Sequence, residues 1–191
     1  QEVPVGARPR GIVLSPDGKF LYVCASEDDT VQILDTETLE IVGALPSGPD
    51  PEVIVISPDG AKIYAANEDD NLVTVIDVAS REVDAEIPVG VEPEGMGISP
   101  DGKVVVNTSE TTNMAHFIDV ETKQITHNVL VDQRPRVATF TADGAEVWVS
   151  SEIGGTVSVI DNATRAIKHK IGFEIPSVPA VSLQPVGLAL T

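Results

Sequence analysis

The chain has 191 residues, 42% of them hydrophobic, and thirty acidic against twelve basic residues give a formal net charge of −18. That charge repels phosphate backbones and anionic headgroups and so disfavours nucleic acid and membrane surfaces as partners. One Trp, two Tyr and four Phe are too few for aromatic stacking platforms, and the single Cys24 allows no internal disulfide. No apolar run reaches the length of a membrane span, so no membrane insertion is expected.

Read in order, the chain opens on Glu2-Val3-Pro4-Val5-Gly6, which aligns with Glu86-Ile87-Pro88-Val89-Gly90 and closes the fourth strand of a unit. The lead-in loop Arg8-Pro9-Arg10 then precedes a first strand of small residues, Gly11 to Leu14. Ser15-Pro16-Asp17-Gly18 turns the chain, its glycine supplying the positive φ that a tight hairpin needs. A second strand runs over Leu21 to Cys24, a polar loop follows, and alternation over Val31 to Asp35 predicts a third. Asp35 and Thr38 make the turn into a fourth, more charged strand beginning near Leu39.

The same series returns after 42 residues. The second unit reads Asp50-Pro51-Glu52, Val53 to Ile56, Ser57-Pro58-Asp59-Gly60, Ile63 to Ala66 and Val73 to Asp77, with its fourth strand from near Arg81. The third reads Glu92-Pro93-Glu94, Gly95 to Ile98, Ser99-Pro100-Asp101-Gly102, Val105 to Thr108 and Ala115 to Asp119, then a strand from near Lys123. The fourth reads Arg134-Pro135-Arg136, Val137 to Phe140, Thr141-Ala142-Asp143-Gly144, Val147 to Ser150 and Val157 to Asp161, then a strand from near Arg165. After an eight-residue insertion around Pro176-Ser177-Val178-Pro179, Gln184 to Thr191 aligns with Arg8 to Ser15 and opens another unit.

Four-stranded units of this length, arranged radially, are the β-propeller answer to open sheet edges. The expected fold is all-β, one array over residues 1–191 of four antiparallel blades at 8–49, 50–91, 92–133 and 134–183, with partial units at 1–7 and 184–191. The small-residue first strand fits the crowded inner end of each wedge, and the charged fourth strand fits the outer edge, where charge discourages pairing with other sheets.

These units resemble the YVTN family of β-propeller repeats, which carry an S-P-D-G turn, a Tyr-Val strand, an Asn-containing loop and a V-x-V-I-D strand; Tyr64-Ala65-Ala66-Asn67 and Thr156 to Asp161 are close matches. Pro49 to Glu52, Asn67 to Asp77 and Thr108 to Asp119 further resemble the PQQ-dependent catabolism-associated β-propeller proteins. The resemblance implies an exported, periplasmic or secreted propeller that accompanies quinoprotein alcohol oxidation. It does not imply that the chain binds pyrroloquinoline quinone. The dehydrogenases so accompanied carry repeated tryptophan motifs and a vicinal cysteine pair, where this chain has one Trp and one Cys. No cofactor is expected. A full ring in the family has seven blades, roughly 300 residues at this repeat, so the open ends here belong to a longer chain or are covered by another copy. A homo-oligomer through those ends is expected.

The resemblance also implies that the lead-in loops and the loops between second and third strands share one face around a central channel. The lead-in loops carry Arg8 and Arg10, Asp50 and Glu52, Glu92 and Glu94, and Arg134 and Arg136, so charge flips in blocks. The second loops add Glu68, Glu110 and Glu152, where the first unit has Ser26. Glu52, Glu68, Glu94, Glu110 and Glu152 are expected to form an acidic half-ring facing an arginine pair at each end. Such a face orients a polar ligand or partner protein; the alternative is mutual salt bridges on a solvated rim. No loop gathers the six or more oxygens calcium takes, and no metal site is expected.

The third unit departs most from its sisters. His116 replaces Gln32, Thr74 and Ser158 there, and irregularity in a regular array marks a candidate binding residue; a surface or hydrogen-bonded histidine is the alternative. His127 and His169 stand one blade apart on outer strands, poorly placed to share a metal. No nucleophile elbow, phosphate-binding Gly-rich loop or Cys-His pair appears. The leading expectation is therefore a non-enzymatic binding or scaffold propeller. The alternatives are a propeller lactonase or hydrolase with metal-binding carboxylates, and a cell-surface structural repeat protein.

Overall fold

Sixteen strands, four per repeat, form four antiparallel sheets in the computed structural model, which describes residues 2–190. Gln1 and Thr191, the outermost residues of the two partial units, lie outside the described residues. The first sheet holds β1 (Pro9–Leu14), β2 (Phe20–Ala25), β3 (Thr30–Asp35) and β4 (Ile41–Pro46), and the second holds β5 (Pro51–Ile56), β6 (Lys62–Asn67), β7 (Leu72–Asp77) and β8 (Glu82–Pro88). The third holds β9 (Pro93–Ile98), β10 (Val104–Ser109), β11 (Met114–Asp119) and β12 (Gln124–Leu130), and the fourth holds β13 (Pro135–Phe140), β14 (Glu146–Ser151), β15 (Thr156–Asp161) and β16 (Ile167–Gly172). Every sheet keeps sequence order, first strand to fourth. The expected four-stranded antiparallel blades are therefore what the chain forms.

Contacts gather the chain into two compact units, Gln1–Pro88 and Val89–Thr191, each holding two sheets. In the first unit Tyr22, Val31, Ile33, Leu45, Ile54, Ile63 and Ile76 fill the core between the sheets. Val106, Phe117, Val129, Ala138, Val147 and Ile160 do so in the second. Period-two alternation puts these residues on the sheet faces, where each buried aliphatic side chain contributes about 1.5–3 kcal/mol.

The turns are built locally. Gly18, at φ 74°, donates its N–H to the Ser15 carbonyl at 2.9 Å, while the Ser15 hydroxyl donates to Asp17 at 2.8 Å. That hydroxyl pulls the Asp17 carboxyl down to about 2. At the next turn the Asp35 carboxylate accepts the Thr38 N–H at 2.8 Å, and Asp77, Asp119 and Asp161 accept from Ser80, Thr122 and Thr164 at the same distance. Leu39, Arg81, Lys123 and Arg165 follow with φ of 56–63°. Those four residues, expected near the starts of the fourth strands, instead complete the turns, because a left-handed residue cannot join a ladder. The strands begin one or two residues later, at Ile41, Glu82, Gln124 and Ile167.

The crowding expected at the first strands is real. A Cβ on Gly95 would overlap the Arg136 carbonyl oxygen, and one on Gly97 would lie 2.5 Å from that of Ala138. At the far end of the second unit, the Ser150 hydroxyl reaches the Val186 carbonyl at 3.4 Å, as Thr108 reaches the Arg136 carbonyl at 3.2 Å. Residues 184–190 thus meet the fourth sheet as a further first strand would, though they form no strand ladder.

Candidate functional site

Each lead-in loop is held against the loop between second and third strands of its own sheet. Arg8, Asp50, Glu92 and Arg134 stand at φ 49–58°, left-handed for residues with a Cβ. The bend turns each carbonyl toward the second loop, where it accepts the N–H of Ser26, Glu68, Glu110 or Glu152 at 2.8–3.2 Å. The prolines that follow start the first strands with φ already set. One backbone hydrogen bond per blade therefore places the charged side chains of the two loops together.

In the first unit these loops bring together Arg8, Arg10, Asp50, Glu52 and Glu68. Arg8 Nη1 donates to the two Asp50 oxygens at 2.8 and 3.0 Å, and its Nη2 lies 3.3 Å from Glu52. Arg10 also pairs with Glu52, whose side chain is only 1% exposed. Ser26, buried, donates its hydroxyl to Asp50 and lies 3.3 Å from Arg8. Burial pushes the Glu68 carboxyl up, and the charge and hydrogen bonding of Glu52 push it further. Oxygens of Asp50, Glu52 and Glu68 come within 4.8 Å of one another. Two guanidiniums already sit among these carboxylates, so the set is a poor fit for a divalent cation, whose ligands should keep their charge for the metal.

The second unit brings together Arg134, Arg136, Glu94, Glu110 and Glu152. Arg134 Nε lies 2.8 Å from Glu110 and 3.4 Å from Glu152. Arg136 pairs with Glu94 at 2.8 Å, with Glu110, and with Glu152 at 3.7 Å. Glu92 accepts from the Thr111 hydroxyl. Arg8, Arg10, Asp50, Glu52 and Glu68 thus gather in one cluster and Arg134, Arg136, Glu94, Glu110 and Glu152 in another, each within its own unit. In both, one arginine stays near half exposed, Arg8 at 42% and Arg134 at 43%. Sequence reasoning had passed over Ser26 and Thr111. The serine's only signal was its place in a column otherwise of glutamates.

His116 is not a surface residue but a buried one, 5% exposed. Its Nδ1 faces Asn128 Oδ1 at 2.6 Å, and its Nε2 accepts the Gly90 N–H at 3.0 Å, with Ser109 Oγ at 3.1 Å. Burial pulls its pKa down. It sits beneath the segment ahead of the third lead-in loop.

The profile of a family described as "Lactonase, 7-bladed beta-propeller" matches residues 2–134. Among solved structures, the chain is similar to Kuenenia stuttgartiensis hydrazine synthase, with 27% identity and a TM-score of 0.82 over 90% of this chain and 51% of that one. It is also similar to a functionally unknown protein from Desulfotomaculum acetoxidans DSM 771, with 19% identity and a TM-score of 0.79 over 91% of this chain and 58% of that one. This second likeness shows the fold alone. The chain spans little more than half the length of either. No curated protein matches it.

Proposed function

The chain belongs to the Lactonase, 7-bladed beta-propeller family, and we propose that it is a binding propeller whose lead-in loops take a small, uncharged polar ligand or the polar surface of a partner protein. The observation that carries this reading is the half-exposed arginine of each cluster held in place by carboxylates, Arg8 by Asp50 and Glu52 of one lead-in loop and Arg134 by Glu110 and Glu152 of two second loops. Opposite charges nearly cancel within each cluster, so a free ion gains little there. A ligand with both hydroxyls and a carbonyl meets fixed acceptors and a fixed donor side by side, at little cost in ordering. Titration calorimetry with a panel of polyols and sugar lactones tests this. Heat that disappears in Arg8→Met with Arg134→Met supports it, and heat unchanged in that double variant overturns it.

A second reading, lactone hydrolysis, draws on the family match and on Glu68. A carboxyl that holds its proton beyond the usual range, in the same cluster as a guanidinium, can exchange a proton with water while the arginine polarises a carbonyl. Turnover of a sugar lactone by the full chain, lost in Glu68→Gln while binding persists, would favour this reading over simple binding. The resemblance to the PQQ-associated group supports an exported protein beside an alcohol-oxidation system, which cell fractionation checks. Ile12 and Leu14 of β1, 62% and 51% exposed, support association of copies through that strand; light scattering decides it.

A further inference from the structure

Ahead of each lead-in loop the chain is tied to a polar side chain on the second or third strand of the sheet it is about to enter. The Gly6 N–H donates to Gln32 Oε1 at 2.8 Å, the Gly48 carbonyl accepts from Asn67 at 2.9 Å, and the Asp132 carboxylate accepts from Thr156 at 2.7 Å. In the third repeat the Gly90 N–H donates to His116 Nε2 at 3.0 Å. Of these four partners only His116 changes charge near neutral pH.

The ring is wired so that its proton decides which neighbour it holds. Asn128 Oδ1 accepts from Nδ1–H at 2.6 Å, which leaves a single lone pair on Nε2. Two groups converge on that lone pair, the Gly90 N–H and, at 3.1 Å, the Ser109 hydroxyl. A hydroxyl can turn from donor to acceptor, whereas a backbone N–H cannot. No residue with a side chain fits easily at position 90, because a Cβ there would lie 2.8 Å from both Nε2 and Ser109 Cβ.

We propose that His116 is a pH-operated latch on the segment from Gly90 to Glu92 that leads into β9: neutral, it holds the Gly90 N–H, and protonated, it donates its Nε2–H as a hydrogen bond to the Ser109 hydroxyl and releases Gly90. The segment carries Glu92, which accepts from Thr111, and runs into Glu94 of β9, which pairs with Arg136 at 2.8 Å, so the latch bears on the second cluster. The groups facing the imidazole are Asn128 from β12, Ser109 from β10, Thr112 from the loop between β10 and β11, and Gly90. All are uncharged. The nearby charges of Glu94 and Glu110 are turned to arginines. Burial keeps the ring neutral until the pH falls below the ordinary histidine range, so the latch is closed at neutral pH.

The same chain supplies the control. Gln32 holds Gly6 through an amide oxygen that does not titrate, so His116→Gln should hold Gly90 at any pH. Amide exchange of the full chain is followed at about pH 7.5 and about pH 5, corrected for the intrinsic rate, beside the imidazole signal of His116. Protection at Gly90 should fall about tenfold or more in the native protein, in step with the imidazole, and stay constant at Gly6 and in His116→Gln. Equal protection of Gly90 at both pH values in the native protein, or an equal fall in His116→Gln, overturns the latch. The native titration alone decides the matter if the variant fails to fold, and no ligand is needed for either readout.

Discussion

The two arginine–carboxylate clusters use the same loop positions in opposite order. In the first unit the arginines come before the acidic lead-in loop, and the centre is an anion: Glu52, nearly inaccessible, takes both Arg8 and Arg10. In the second unit the arginines come after it, and the centre is a cation: Arg136, 17% exposed, reaches Glu94, Glu110 and Glu152. The difference appears most clearly at one repeat position. Glu110 pairs with Arg134 and Arg136, whereas Glu68, its counterpart, shares its surroundings with Glu52 and is held protonated to higher pH. A repeat fixes where charged groups stand, but the order of its loops decides which of them remain in like-charged company.

The largest expected effect comes from removing the shared cation. Arg136→Ala takes the shared cation from Glu94, Glu110 and Glu152 and should cost about 3–5 kcal/mol in urea unfolding. Glu52→Gln, which removes the shared anion while Arg8 keeps Asp50, should cost about 1–2 kcal/mol. Equal losses would mean that the two centres are interchangeable and would break the comparison.

Backbone approach offers the next test. Gly95→Ala drives a methyl into the Arg136 carbonyl and toward the Thr108 hydroxyl, and Gly11→Ala meets the Glu52 carbonyl at 2.6 Å. Each should lower stability by about 1–3 kcal/mol, Gly95→Ala by more, as thermal unfolding would show.

At the shared repeat position, Glu110→Gln should cost about 1.5–3 kcal/mol through its lost charge-assisted bonds, and Glu68→Gln close to nothing at neutral pH. The pH dependence sharpens this contrast. Because the folded value of Glu68 lies above its unfolded one, its contribution is fully present below the ordinary glutamate range and is lost as pH rises through the raised value. Glu68→Gln should flatten that part of the stability profile, and an unchanged profile would remove Glu68 from its assigned place.

The smallest effect should be alike in both units. Leu39→Gly and Lys123→Gly relieve left-handed strain in equivalent turns, and each should stabilise by about 0.5–1 kcal/mol after the entropy glycine loses on folding. Opposite signs in calorimetry would show that the turns are not the same structure.

The sequence by itself determined the repeat, the strand faces and the turns, because each rests on short-range chemistry. Alternation places Val31 and Ile33 on one face of β3, and Asp17 and Asp35 make their turns from backbone only two or three residues away. It also named the charged residues of both clusters, because they stand at equivalent loop positions of the repeat, while the shared face of those loops was what the family resemblance implied. Local turn geometry already escaped it at Leu39, Arg81, Lys123 and Arg165, where the left-handed bend leaves no mark in residue type. The pairing of charges was decided by tertiary structure. Arg8 meets Asp50 from 42 residues away and Arg136 meets Glu110 from 26, through sheet packing that brings together loops of adjacent blades. The same packing buried His116 under Gly90, because the backbone that covers a side chain comes from another part of the chain, and residue type carries no record of it.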